Sequence, residues 1–293
     1  MREDNPNTLD KIYTWLFNNY GPQGWWPVTP VGSCRSDKSV TPVYGLAIKN
    51  ERQRLEVMFG CVLAQGTQWH PNVVRAMQQL KLGRPFSKQE LEVIRQAEIS
   101  RISVPGRHET KLNKHIVTQN TAWINAEKAV VELNKQDLID VDRILKISHS
   151  QLTEVIKSAG YYNEKAKKLK NIARFLKDCP IAELQRMELA EARELLLSVR
   201  GVGRETADSI LLYALNKLIF VVDAYTRRVF SNLGFIRPDA DYDEVQALFM
   251  DNLPHEARLF NEYHALIVRH AKTYYSKKPY GIRCPLRAFI AGL

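Results

Sequence analysis

Apolar residues recur every three to four positions over most of the chain, and the strict alternation that marks a half-buried strand is nearly absent. The pattern predicts helices over Thr8–Tyr20, Glu51–Ala64, Lys88–Glu98, Trp123–Asn134, Val141–Ile147, Ser150–Ala159, Asn163–Lys177, Leu189–Val199, Arg204–Leu215, Ala224–Leu233, Tyr242–Leu253 and Leu259–Tyr275. Short polar or glycine-containing connections separate them. Thr29–Ile48, with its Pro, Gly and Ser, reads as a loop, and Pro238-Asp-Ala-Asp241 begins another connection. The expected fold is all-α.

One segment carries more chemistry than the rest. Leu195, Leu196 and Val199 precede the turn Arg200-Gly-Val-Gly-Arg204, and Ala207, Ile210, Leu211 and Ala214 follow it at helical spacing. Gly201 and Gly203 allow a tight turn and a close backbone approach to a ligand. The first amides of the second helix have no partner inside it and carry its positive dipole end, a combination that binds phosphate without reading sequence. Arg200 and Arg204 add charge there. An ordinary helical hairpin would also need a glycine turn; the two arginines and the following Val221-Val-Asp223 favour the phosphate reading. Asp223 falls at the predicted start of a helix, where the dipole suits a carboxylate.

Composition supports this reading without deciding it. A formal charge of +10 and a pI near 9.4 over 293 residues favour an anionic partner. The four cysteines, Cys34, Cys61, Cys179 and Cys284, have no paired spacing, so neither a disulfide framework nor a zinc site is expected. A reducing intracellular setting fits. No apolar run reaches the length of a membrane span and no signal-peptide pattern opens the chain, so no membrane partner is expected.

The chain also resembles itself. Gly60-Cys-Val-Leu-Ala-Gln-Gly-Thr-Gln-Trp69 leads into Asn72–Leu80, as Lys114-His-Ile-Val-Thr-Gln-Asn-Thr-Ala-Trp123 leads into Asn125–Leu133. The shared Gln-x-Thr-x-Trp aligns Gln65 with Gln119 and points to a partial duplication or an insertion of about fifty residues.

These motifs resemble the helix-hairpin-helix (HhH-GPD) DNA glycosylases of the endonuclease III superfamily. The likeness is carried by Thr118–Trp123, Ala159–Leu169, Leu197–Ala207, Val221–Tyr225 and Asn261–Ile267. Tyr20-Gly-Pro-Gln-Gly-Trp-Trp-Pro27 resembles the endonuclease III-related branch that includes a 3-methyladenine DNA glycosylase. The resemblance implies two helical lobes with the active site in the cleft between them. It divides the chain into an N-terminal segment with the duplicated unit (1–135), a lobe with the hairpin and the Asp223 loop (136–235), and C-terminal helices completing the second lobe (236–293).

The resemblance also implies roles. Asp223 is the expected catalytic carboxylate. Arg200, Gly201, Val202, Gly203, Arg204 and Thr206 are expected at the DNA backbone, with a monovalent cation at the hairpin. Gln119 or Gln65 fills the gap left by the extruded nucleotide. Trp25, Trp26 and Pro27 are expected around the flipped base. Glu205 stands where bifunctional relatives carry a lysine, and a carboxylate cannot form an imine; Lys272 is a conceivable substitute that no motif supports. Many relatives hold an iron–sulfur cluster with four C-terminal cysteines. Here only Cys284 stands in that region, with Tyr275 and Gly281 at aligned places, so no cluster is expected. The implied partner is double-stranded DNA with a damaged base, acted on by a monomer in the cytoplasm, at the nucleoid, or in a nucleus.

Overall fold

Helix starts follow side-chain chemistry. In a computed structural model that describes residues 6–32, 42–65 and 123–293, these helices are α1 (Pro6–Tyr20), α2 (Glu51–Ala64), α3 (Trp123–Lys135), α4 (Val141–Lys146), α5 (His149–Val155), α6 (Tyr162–Asp178), α7 (Ile181–Arg186), α8 (Leu189–Ser198), α9 (Arg204–Ser209), α10 (Ala224–Leu233), α11 (Tyr242–Met250), α12 (Ala257–Tyr274) and α13 (Pro285–Ala291). Asn50, Asp140 and Asp223 each accept a hydrogen bond from the third backbone amide of the helix they open, and Ser148 with Gln151 and Asp241 with Glu244 form capping boxes. Gly234, at φ +84°, ends α10 in the left-handed region.

Among the described residues, extended pairing is limited to an isolated antiparallel bridge between Val28 and Val43. The all-α expectation holds. The predicted helix Lys88–Glu98, the residue Gln119 and the first repeat beyond Gln65 lie outside the described residues. The pattern missed α7 and α13, of six and seven residues, because fewer than two helical turns give periodicity too little length to register.

Two groups of helices build the core. Helix α2 buries Leu55, Val57, Met58, Phe59, Cys61, Val62 and Leu63, so it is apolar nearly all round and runs through the interior. It packs on α3, α6, α7 and the turn after α9. Helix α12 buries Phe260, Tyr263, Leu266, Ile267 and Ala271 and packs on α1 and α10. The groups meet where residues Ile210–Ala214 touch α12.

That meeting point corrects the prediction of one helix over Arg204–Leu215. Helix α9 ends at Ser209, and Ile210–Ala214 form a π-helical turn in which the Leu215 amide donates to the Ile210 carbonyl at 3.2 Å. Periodicity could not show this, because Ile210 to Leu215 is an unbroken run of buried residues.

A buried carboxylate ties the segment around Asp223 to α9. Asp208 is 0 % exposed. It accepts from Arg193 Nε at 2.7 Å and Nη2 at 3.1 Å, from Tyr242 Oη at 2.8 Å and from Gln246 Nε2 at 2.9 Å. Gln246 also donates to the Phe220 carbonyl at 2.6 Å, and the Val222 amide donates to Tyr242 Oη at 3.3 Å. Removing one partner of such a network strands the others in the interior. Asp208→Ala is expected to lower stability by about 3 kcal/mol, read from the midpoint of a urea titration at unchanged slope.

Candidate active site

Asp223 is fixed by its own helix. Its Oδ1 accepts from the Thr226 amide at 2.7 Å and from Thr226 Oγ1 at 2.9 Å. The preceding Val221 and Val222 are buried and leave the chain no freedom to slide. Oδ2 is the oxygen left for chemistry, and it lies 3.9 Å from Nε2 of the buried His264 on α12. His264 meets Tyr213 of the π turn, whose Oη lies 2.5 Å from its Nδ1. Burial holds the His264 imidazole below its ordinary range, against the opposing pull of Asp223, so the ring is neutral at pH 7.

The aromatic segment lies on the same wall, anchored from below by a second buried carboxylate. Glu56 of α2 accepts from the Thr29 amide at 3.1 Å, Thr29 Oγ1 at 2.7 Å and Asn134 Nδ2 at 3.0 Å. Burial raises this carboxyl, and the Thr29 and Asn134 hydrogen bonds oppose the rise. The tether separates the two tryptophans. Trp26 is 8 % exposed and packs on Tyr213 with ring centroids 5.4 Å apart. Its indole passes over Gly60, where a Cβ would lie 2.8 Å from Trp26 Nε1. Trp25 is half-buried and faces Tyr213 at 6.1 Å and His264 at 6.0 Å. Trp26 and the buried Pro27 line a small cleft with Pro42, Gly60, Ala126, Glu127 and Val130. Glu127 there accepts a hydrogen bond from Tyr44 Oη.

The hairpin meets the C-terminal end of α2, where Gln65 caps that helix. Gly201 has φ +95°, and a Cβ there would lie 2.7 Å from Lys168 Cγ. Gly203 is the N-cap of α9 with no side-chain cap, so the first amides of that helix keep their donors. Gln65 is docked on this turn: its Nε2 donates to Thr206 Oγ1 at 2.7 Å and to the Gly201 carbonyl at 3.2 Å, and Lys168 donates to its Oε1. Val202 is buried and Arg200 is exposed. Arg204 pairs with Asp243 at 3.0 Å and lies over the Tyr242 ring.

Glu205 is solvent-exposed in the first turn of α9, yet much protein surrounds its carboxyl. That desolvation, with a smaller contribution from the charge of Asp223, pushes it up to about 7. Lys272 of α12 is also exposed and also senses Asp223. Desolvation lowers its ammonium, while Asp223 and Glu127 pull the other way.

Cys284 belongs to a different network. Its Sγ accepts from Tyr275 Oη at 3.3 Å and lies 3.2 Å from His270 Nε2, whose Nδ1 meets Tyr20 Oη at 2.8 Å. Burial pushes His270 down to about 4. Among the described residues, no group of three or more His, Cys, Asp or Glu side chains is arranged to hold a metal ion.

The structure brings Asp223 and Trp25 together beside His264 and Tyr213, and Gln65 to Gly201 and Thr206 of the hairpin. Sequence reading missed His264, Tyr213, Asp208 and Glu56. The available signal was a polar residue at an otherwise apolar helical position, as at His264 inside Tyr263–Val268 and Asp208 between Ala207 and Ile210.

Comparison with known proteins agrees with this architecture. Residues 114–255 match the model of the HhH-GPD superfamily of base excision DNA repair proteins. A protein of Methanocaldococcus jannaschii named as a DNA repair glycosylase is 46 % identical over 179 residues, which span 59 % of this chain and 81 % of the relative. An endonuclease III of Sulfolobus acidocaldarius is 31 % identical over 175 residues, 59 % of this chain and 77 % of that one. In fold, the chain is similar to the 3-methyladenine DNA glycosylase of H. pylori solved with 1,N6-ethenoadenine, at a TM-score of 0.56 and 22 % identity over 92 % of this chain and 97 % of that one. The chain belongs to the HhH-GPD superfamily of base excision DNA repair proteins.

Gly60→Ala is expected to push Trp26 off its seat. Stability should fall by about 1–3 kcal/mol and tryptophan emission should move to longer wavelength. Glu205 gives a pH signature. Its folded value lies above its unfolded one, so its contribution to stability is complete below pH 4.5 and is lost as pH rises through about 7. Glu205→Gln should remove that part of the decline, read as a thermal midpoint flatter than wild type between these limits.

Proposed function

We propose that the protein is a monofunctional glycosylase that removes a damaged base, an alkylated purine, from double-stranded DNA and leaves an abasic site. The observation that carries this reading is Asp223, with Oδ1 pinned by Thr226 and Oδ2 facing His264 beside the half-buried Trp25. Cleavage of an N-glycosidic bond builds positive charge on the sugar. A fixed carboxylate stabilises that charge and orients or deprotonates the attacking water. A cationic alkylated purine suits an indole face, and the half-buried Trp25 supplies one. Glu127, in the cleft lined by Trp26 and Pro27, adds a negative charge that favours the same class of base.

The backbone contacts follow from the hairpin. Gly201, Val202 and Gly203 bring the amides of α9 to a phosphate, with the exposed Arg200 beside them; Arg204 must first exchange Asp243 for DNA. The carbonyls of Val199 and Gly201 each already accept one hydrogen bond and keep a second lone pair, the ligand type a monovalent cation takes. Gln65, held at the turn beside Thr206, is one of the two glutamines that the family likeness puts forward to enter the duplex; Gln119 is the other. The C-terminal segment does not suit an iron–sulfur cluster. Its one thiol, Cys284, is engaged by Tyr275 and His270, and such clusters need four ligands.

A second reading has one observation behind it. Lys272 senses Asp223 and has a lowered ammonium, the conditions under which an amine attacks a sugar carbon and gives lyase activity on oxidised or mismatched bases. Single-turnover base release from a panel of lesion duplexes, with borohydride trapping, tests both. Asp223→Asn should slow release roughly 10²–10⁴-fold. Wild type should release alkylated purines and give no trapped complex. A trapped complex that disappears in Lys272→Ala would replace the water mechanism by the lyase one. DNA binding without release of any base would leave a non-catalytic binder.

A further inference from the structure

We infer that His264 is a positioning residue for the reaction: its Nε2–H holds the free oxygen of Asp223, and Tyr213 fixes the imidazole tautomer that makes this possible. The inference rests on Asp223 being the catalytic carboxylate.

The geometry is specific. His264 is 5 % exposed, and its Nε2 is a buried nitrogen with no hydrogen-bond partner. A buried polar atom left so is costly unless something completes it during function. Asp223 Oδ2 lies 3.9 Å from Nε2, too long for a hydrogen bond as it stands. Catalytic hydrogen bonds are often long without substrate and tighten when it binds.

The tautomer follows from the neighbours. An ionised carboxylate only accepts, so the hydrogen belongs on Nε2. Nδ1 must then accept, and the hydroxyl donating to it is Tyr213 Oη at 2.5 Å. Burial raises the Tyr213 phenol well above its ordinary value, which keeps the hydroxyl a donor. The ring cannot swing away: it packs against Trp25, Tyr213 and Phe220, with centroids 6.0, 6.0 and 6.4 Å distant.

With Oδ1 held by Thr226, an Nε2–H on Oδ2 fixes both oxygens of the carboxylate. Charge on Asp223 is then held toward the sugar, because an N–H donor stabilises an ionised oxygen and not a protonated one. The other titratable groups that bear on this pair are Glu205 on α9, Lys272 and Glu262 on α12, Cys61 on α2 and Tyr213 itself.

The test is the pH profile of single-turnover base release for wild type, His264→Phe, His264→Gln and Tyr213→Phe, beside Asp223→Asn. Phenylalanine keeps the ring packing without the N–H. It should slow release by roughly 10–100-fold and move the acid limb up by about one pH unit, with affinity for a duplex bearing an abasic-site analogue within about twofold of wild type. Glutamine returns an N–H at the same reach and should recover much of the rate and the original limb. Tyr213→Phe should give a smaller shift of the same sign, and it serves if the His264 variants do not fold. An unmoved acid limb in His264→Phe, or equal losses in the Phe and Gln variants, would overturn the inference. If Asp223→Asn itself keeps releasing base, the reading of Asp223 fails first.

Discussion

Asp208 is the constraint on which the site depends. A carboxylate buried without charge compensation would be intolerable, so Arg193, Tyr242 and Gln246 must converge on it from α8 and α11. Their convergence decides where α11 lies against α9. Because Tyr242 and Gln246 also grip the backbone at Val222 and Phe220, the same network determines where Asp223 emerges. Asp223 adds only its own cap. Its place in the molecule is set by residues that never approach a substrate.

Glu56 does the same for the aromatic segment. It satisfies the backbone at Thr29 and reaches Asn134 on α3, so two elements distant in sequence share one acceptor. Gly60 then supplies the empty volume that Trp26 needs. The division of labour follows. Trp26 is packed and structural, whereas Trp25 faces the imidazole and keeps solvent contact. Two adjacent, identical residues differ in role because one lies over a glycine.

Much of the fold was legible in the sequence because long amphipathic helices carry strong periodicity. Asp223 at the start of its helix was readable for a similarly local reason. The hairpin and Asp223 could be found because glycine spacing and a polar residue after two valines stand out in one dimension. Asp208 and His264 could not be assigned. His264 is a single polar residue inside an apolar run and Asp208 one polar residue among several, and their partners lie 15 to 51 positions away. Tyr213 was hidden twice, as one more apolar-looking residue and as part of a turn whose irregularity leaves no compositional mark. The contacts of Gln65 with Gly201 and Thr206 exist only in three dimensions, and its counterpart Gln119 lies outside the described residues.

The π turn at Ile210–Ala214 has a consequence for how this chain can vary. A π turn is an α-helix carrying one surplus residue, and each residue rotates a helix by about 100°. Deleting one residue from it would give a more regular helix with better backbone bonds. It would also swing Tyr213 about a quarter-turn away from His264 or carry the Asp223 loop out of phase with α11. Local regularity and alignment of the cleft are therefore incompatible here. Point substitutions can accumulate along this stretch, but its length cannot change by one.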